Sequence, residues 1–82
     1  MPIAYSRQAA KNVDRLPKTV KPRIKAAIDS IVRNPLVGQK LQGDLAGRRR
    51  FRVGGYRIIY EYDSKRRLVT VVAIRSRGGA YR

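Results

Sequence analysis

The stretch RRRFRVGGYRIIYEY, residues 48–62, constrains the fold of this chain more than any other segment. It predicts two strands, over residues 48–53 and 56–62, joined by Gly54-Gly55, because paired glycines can supply the positive φ of a tight hairpin turn. A third strand over residues 68–75 follows the turn sequence DSKR. The second half of the chain is therefore predicted to be a three-stranded antiparallel meander.

The first half predicts a short strand and two helices. PIAY at residues 2–5 is the strand candidate, and Ser6 is a suitable N-cap for a helix that ends at Leu16. A second helix is predicted over residues 20–33, and residues 34–47 form an apolar loop that should pack onto the core. The apolar stripe of that second helix consists of Val20, Ile24, Ala27, Ile28 and Ile31.

This order of elements, β-α-α-β-β-β, predicts an α+β fold with an antiparallel helix hairpin packed on one face of the sheet. With 82 residues the chain is expected to form a single domain, residues 1–82. It has no cysteine and no histidine, so disulfides, thiolate metal sites and a histidine base are excluded. No metal or other cofactor is expected, since the few carboxylates are scattered: Asp14, Asp29, Asp44, Glu61 and Asp63.

The formal net charge of +15 points to a polyanionic partner. Nucleic acid is the first expectation, and an anionic membrane surface or an acidic protein are the alternatives. No apolar run is long enough to span a bilayer, and the helices lack the large aromatic residues of a membrane-surface anchor. We therefore expect a cytoplasmic protein with no membrane partner.

The predicted hairpin is rich in arginine, and the alternation of side chains along a strand predicts the face on which each arginine lies. If Phe51 and Val53 pack on the helices, then Arg48, Arg50 and Arg52 form a row on the open face, with Arg57 beside them. The plainer interpretation is a solvated face whose arginine stems cover apolar surface. The strong preference for arginine over lysine argues against this interpretation, because Lys65 is the only lysine in residues 48–82. A solvated face has no reason to prefer the planar guanidinium fork, which matches phosphate.

The C-terminal sequence AIRSRGGAYR adds an aromatic residue to these cations. Arg75 and Arg77 leave the third strand together, and Tyr81 follows through a Gly-Gly link. Arginines beside a tyrosine suit RNA, because the cations hold phosphates while the ring stacks on a base. The alternative is that Tyr81 simply packs on the sheet. These features indicate an RNA-binding surface and do not by themselves indicate an enzyme.

The segments LQGDLAGRRRFRVGGYRIIYEYD and LVTVVAIRSRGGAY resemble the RelE/ParE superfamily of toxins from type II toxin–antitoxin modules. The resemblance extends over about residues 3–81 and is closest to the RelE-like branch. It implies a ribosome-dependent endoribonuclease, an mRNA interferase that cuts mRNA in the ribosomal A site. It also implies metal-independent chemistry, in which the 2′-OH attacks the adjacent phosphate and leaves a 2′,3′-cyclic phosphate and a 5′-OH.

The resemblance assigns a role to each site residue. Arg57 matches the arginine that holds the scissile phosphate, and Arg75 the one that assists the leaving 5′-oxygen. Tyr81 matches the terminal tyrosine that stacks on a base or orients the 2′-OH. Two further catalytic candidates are Arg50 and Arg52, which match basic positions on the first strand of the meander. The remaining arginines expected to contact RNA are Arg48, Arg49, Arg77 and Arg82.

Two departures from the family pattern limit the chemistry. Arg50 and Arg52 stand where the best-studied type has lysines, and arginine does not deprotonate in proteins. These positions can therefore stabilise charge but cannot act as a general base. Ser76-Arg77 replaces a His-Arg pair that many relatives carry before the final tyrosine.

Two other functions stay open at this point. One is a ParE-like toxin that inhibits DNA gyrase without nuclease chemistry, since a shared fold does not fix function. The other is a non-catalytic RNA-binding protein. The expected partners are a 70S-type ribosome with its mRNA, and a cognate antitoxin that is acidic, partly disordered and folds as it binds.

Overall fold

The computed structural model describes residues 2–43 and 46–76. It confirms the predicted α+β fold and adds one short strand within the predicted loop. The elements in chain order are β1 (Ile3–Tyr5), α1 (Arg7–Asp14), α2 (Lys21–Arg33), β2 (Gln39–Lys40), β3 (Arg48–Val53), β4 (Tyr56–Asp63) and β5 (Leu68–Ser76). Neither helix in the described part of the chain is long and apolar enough to cross a bilayer.

These strands form one mixed sheet in the order β1-β5-β4-β3-β2. Strands β2 to β5 are antiparallel neighbours, as the meander predicted, whereas β1 runs parallel to β5 with Ile3 opposite Val69. The parallel pairing follows from the connection, because the chain passes through both helices before it returns to the sheet. Strand β4 lies at the centre and is hydrogen-bonded on both sides.

The β3–β4 hairpin has the predicted two-residue turn. Val53 pairs with Tyr56 across Gly54-Gly55, and Gly54 has a φ of 57°. A side chain at this φ would be strained, so the glycine sets the turn and with it the register of the hairpin. Phe51 consequently faces the same side of the sheet as its partner Ile58.

Helix α1 is shorter than predicted. Ser6 caps it as expected, since its hydroxyl accepts a hydrogen bond of 3.0 Å from the Ala9 amide. The helix ends at Asp14, and the amide of Leu16 bonds to the carbonyl of Val13 in a tighter i→i+3 turn. The chain then enters Pro17, whose ring cannot continue the helix.

Helix α2 buries the predicted apolar stripe against the sheet. Ile24, Ala27, Ile28 and Ile31 are all buried, and they meet the face of β4 and β5 that carries Ile58 and Val71. Pro22 is accommodated because it lies in the first turn, where its missing N–H would have no helical acceptor. The core therefore lies between the helix layer and one face of the sheet.

Tyr60 ties the loop after α2 to the centre of the sheet. Its side chain is fully buried, and its hydroxyl accepts from the Gly38 amide at 2.9 Å and donates to the Pro35 carbonyl at 2.8 Å. A buried phenol needs such partners, and the loop supplies both. Burial also raises the pKa of Tyr60 above its ordinary value, so the neutral hydroxyl is the form that the fold holds.

Replacing Gly38 by alanine should destabilise the protein. An added Cβ would lie 2.6 Å from the Tyr60 hydroxyl and 3.0 Å from the Arg50 carbonyl, so the loop or the tyrosine must shift. We expect Gly38→Ala to lower the free energy of unfolding by about 1–3 kcal/mol. Gly55→Ala is the matched control because its Cβ would meet no atom within 4 Å. Equal stability of the two variants in urea denaturation would contradict the close packing at Gly38.

Tyr60→Phe should lower the free energy of unfolding by about 1–3 kcal/mol at neutral pH, because it removes the hydroxyl that bonds to the Gly38 amide and the Pro35 carbonyl. Because the folded-state pKa of Tyr60 is raised above 10.0, its contribution is complete below that pH and is lost as the pH rises through the raised value. The stability gap between wild type and variant should therefore stay constant up to about pH 9 and narrow as the pH rises above about 10. A gap that stays constant in urea titrations above that pH would contradict the prediction.

Candidate functional site

The open face of the sheet, opposite the helices, brings three arginines into one row. Arg52 pairs with Arg57 across β3 and β4, and Arg57 pairs with Arg75 across β4 and β5. Neighbouring strands are about 4.8 Å apart, so the three side chains start from adjacent points on one face. We call Arg52, Arg57 and Arg75 the arginine row.

The next row towards the middle of the sheet is mostly apolar. Arg50 pairs with Ile59, and Ile59 pairs with Ala73. Ile59 is 8% exposed and Ala73 is 4% exposed, yet neither belongs to the helix-side core. These side chains form the floor of a cleft of about 380 Å³, which is lined by Leu41, Arg48, Arg50, Arg57, Ile59, Val72, Ala73 and Arg75. The apolar floor strengthens charge interactions within the cleft by excluding water.

Arg57 lies at the centre of the arginine row. Its Nε atom is buried and has no hydrogen-bond partner within residues 2–43 and 46–76. A buried donor without a partner costs free energy, and the cost is larger for a charged group. The arrangement suits a bound anion, which would supply the missing acceptor and offset the like charges of Arg52 and Arg75.

Arg50 is oriented by a residue that sequence analysis missed. Its Nη2 atom donates to Oε1 of Gln39 at 2.5 Å, across the short pairing between β2 and β3. Gln39 is neutral, so it directs the guanidinium without cancelling its charge. Nothing in the local sequence pattern distinguishes Gln39, because the contact depends on how the loop returns to the sheet.

Arg48 also lies on the open face of the sheet, and an ion pair partly neutralises its charge. Its Nε atom lies 2.9 Å from Oε2 of Glu61, the residue directly opposite on β4. The only other ion pair in the described part of the chain is the distant contact of Arg66 with Asp63 at 3.9 Å. Glu61 is therefore the only acidic residue that pairs with an arginine of the open face among the described residues.

Arg49 departs from the expectation that it contacts RNA beside its neighbours. Alternation along β3 places it opposite the buried Tyr60, on the helix side of the sheet. Its Nη1 atom donates to the carbonyls of Gly38 at 2.9 Å and Leu36 at 3.3 Å. The structure therefore assigns Arg49 to holding the loop and not to the cleft.

The other predicted site residues, Arg77, Tyr81 and Arg82, lie outside the described residues. Within the described ranges, no three acidic side chains come together where they could hold a metal ion. The structure thus brings Arg50, Arg57 and Arg75 together around the cleft with Arg48 at its rim, while Arg52 lies beside Arg57 in the arginine row but outside the cleft lining. It adds the apolar floor and Gln39.

The described structure is thus a small α+β fold with an arginine-lined cleft on its open sheet face. A family model described as the ParE toxin of type II toxin–antitoxin systems, parDE, matches residues 3–81. The chain therefore belongs to the ParE toxin family, and the resemblance seen in its sequence is confirmed. No curated protein is significantly similar to it in sequence.

Solved structures of toxins share the fold. The isolated Escherichia coli RelE toxin has a TM-score of 0.82 at 20% identity, covering 93% of this chain and 83% of that chain. A YoeB/ParE toxin from Agrobacterium tumefaciens also gives 0.82 at 20% identity, with 93% and 98% coverage. The RelBE2 toxin–antitoxin complex of Mycobacterium tuberculosis contains a chain with a TM-score of 0.75 and 30% identity, covering 93% of this chain and 96% of that one.

The unpartnered Arg57 leads to a stability prediction. Arg57→Met keeps an unbranched stem over the cleft floor but removes the buried Nε and one of three adjacent positive charges. We expect the free energy of unfolding to rise by about 1 kcal/mol in low-salt buffer, with less gain in high salt because salt screens the repulsion.

Arg66→Met is the control for this measurement, since Arg66 is 77% exposed and lies in the turn at the far end of the β4–β5 hairpin. It should leave stability nearly unchanged in the same urea titrations. A clear loss of stability in Arg57→Met would show instead that Arg57 supports the fold.

Proposed function

We propose that this protein is the RNA-cleaving toxin of a toxin–antitoxin pair and that it cuts mRNA in the ribosomal A site. The observation that carries the proposal is the arginine row, with the buried Nε of Arg57 unpartnered among the described residues at its centre, beside an apolar floor. Residues 1–82 would form one RelE-like domain that acts in the cytoplasm.

The cleft suits a phosphodiester as its ligand. Guanidinium groups present parallel N–H donors that match two phosphate oxygens at once. Arg57 stands between Arg52 and Arg75, so a phosphate over the row could be held from both sides. Ile59 and Ala73 offer apolar surface next to these cations, against which a ribose or base can lie.

The row also suits the transition state of RNA cleavage. The 2′-oxygen forms a bond to phosphorus, the bond to the 5′-oxygen breaks, and the proton lost by the 2′-OH is balanced by one gained on the 5′-oxygen. The phosphorane formed on the way carries more negative charge than the diester. Fixed cations therefore stabilise it more than they stabilise the substrate.

Within this mechanism we assign the residues as the sequence resemblance implies. Arg57 holds the scissile phosphate, and its neighbour Arg75 stabilises the departing 5′-oxygen. Arg50 and Arg52 add positive charge from β3, and Tyr81 orients the 2′-OH or stacks on a base. The nucleophile belongs to the RNA, so this reaction requires neither a metal ion nor another cofactor.

The ribosome would supply both the substrate and its geometry. A net charge of +15 favours fast, salt-sensitive association with a site walled by ribosomal RNA phosphates. Arg48 at the rim of the cleft, together with Arg77 and Arg82, would hold flanking phosphates. The ribosome would then fix the mRNA in the conformation that brings the 2′-OH into line with the scissile bond.

A cognate antitoxin is the second proposed partner. Related folds occur in the RelBE toxin–antitoxin complex of Escherichia coli and in the RelE–RelB complex of Pyrococcus horikoshii. A strongly basic chain needs an anionic partner, and an acidic segment that folds on binding would meet this need. Carboxylates placed over the arginine row would occupy the groups that bind phosphate.

Gyrase inhibition is the second candidate function, because the matching family model carries the ParE description. It would require protein contacts and no phosphorane stabilisation. The clustered arginines favour the nuclease, because adjacent guanidinium groups around the buried Nε of Arg57 match the charge that develops on a phosphorane.

Primer extension on a defined mRNA in a reconstituted translation reaction tests the proposal. Wild-type protein should produce cuts within A-site codons only when ribosomes are present. Arg57→Ala should lower the cleavage rate at least about 100-fold, the typical cost of removing one transition-state donor. Arg66→Ala, at the other end of the hairpin, should cut like wild type.

A parallel gyrase supercoiling assay separates the two candidates. Intact mRNA in every reaction together with inhibited supercoiling would replace the nuclease with the ParE-like function. Bound but uncut RNA with unaffected gyrase would identify a non-catalytic RNA-binding protein.

A further inference from the structure

Strand β5 does not keep simple alternation. Val69 and Val71 are fully buried in the helix-side core, so unbroken alternation would send Arg75 to that same side. Instead Ile74 occupies the core, and Arg75 pairs with Arg57 on the open face. The direction of Arg75 is therefore set by an irregularity between these positions.

That irregularity is a one-residue bulge at Val72. Ile59 pairs with Ala73, but the next residue of β4, Tyr60, pairs with Val71. Val72 is the extra residue, and it shifts every later side chain of β5 by one position. Bulges commonly redirect side chains next to functional sites, and this one turns Arg75 into the cleft.

The N-cap of α1 and one residue within that helix supply hydrogen bonds to β5 at the bulge and just after it. Strand β1 pairs with β5 only as far as Tyr5 opposite Val71, so beyond this point β5 has no strand neighbour on that side. The Ser6 hydroxyl donates to the Val72 carbonyl at 2.6 Å. Oδ1 of Asn12 accepts from the Ile74 amide at 2.9 Å. Two polar side chains thus replace the missing strand, one at the extra residue and the other two residues after it.

We infer that Ser6 and Asn12 are positioning residues, which hold the Val72 bulge and thereby aim Arg75 at the cleft. A slip of one residue in the pairing of β5 would move Arg75 to the helix side. The two hydrogen bonds fix the backbone at the bulge and two residues after it, and so favour the observed register. The role given to Arg75 rests on the proposed function, whereas the control of its direction does not.

Asn12 is the better residue to test, because the Ser6 hydroxyl also caps α1 by accepting from the Ala9 amide. Asn12→Ala removes the acceptor, and Asn12→Asp keeps one at nearly the same size. In the primer-extension assay we expect Asn12→Ala to lower the cleavage rate about tenfold, the effect of one lost hydrogen bond, and Asn12→Asp to restore most of it.

A double-mutant cycle separates positioning from general stability. If Asn12 acts through Arg75, then Asn12→Ala should cause little further loss in an Arg75→Ala background. In an Arg50→Ala background, where the altered arginine lies on β3, the tenfold loss should persist. Equal losses in both backgrounds, or no rescue by Asn12→Asp, would overturn the inference.

Amide hydrogen exchange of the free protein provides a readout that needs no RNA. Asn12→Ala should speed exchange at Ile74 and weaken the nuclear Overhauser contacts between Arg57 and Arg75, while Val69 and Val71 stay protected. If these signals are unchanged, the bulge does not depend on Asn12 and the inference is wrong. If wild type cleaves no RNA, the proposed function fails, and the exchange data still decide the role of Asn12.

Discussion

The fold and the cleft both depend on the alternation of side chains along β4, the central strand. Ile58 and Tyr60 point into the helix-side core, where both are fully buried. Arg57 and Ile59 point the other way, into the cleft. One strand therefore forms the middle of the core and the middle of the candidate site. The packing that buries Ile58 and Tyr60 therefore also sets the face of the sheet from which Arg57 projects.

This arrangement keeps like charges together at a cost to stability. Arg52, Arg57 and Arg75 lie opposite one another with a buried donor unpartnered, and the core must offset their repulsion. The small size of the protein leaves little free energy for features without a use. A site that opposes folding but matches an anion is most simply explained as a binding site, and this is the physical basis of the proposed nuclease.

Sequence patterns predicted the elements whose formation is local. The Gly54-Gly55 hairpin, helix α2 with its apolar stripe and the three strands of the meander were placed within one residue of their observed ends, and the α+β class was right. The prediction missed β2 and placed the end of α1 two residues late. Strand β2 is only two residues long and forms because Tyr60 and Arg49 hold the preceding loop against the sheet, contacts that link residues distant in the chain. Arg49 was grouped with the RNA-binding arginines, although its position in β3 puts it on the other face.

The sequence by itself determined the hairpin, the positive charge and the directions of Arg52 and Arg57, because turn geometry and strand alternation are properties of a few consecutive residues. Only the tertiary structure decided the direction of Arg75, the orientation of Arg50 by Gln39 and the apolar floor of the cleft. The consecutive valines at positions 71 and 72 are the single local sign that alternation in β5 breaks. Whether such a pair forms a bulge depends on its partners, here Ser6 and Asn12 of α1, which lie about sixty residues away in the chain. Hydrogen bonds between residues far apart in the chain therefore complete a site that local sequence patterns predict only in part.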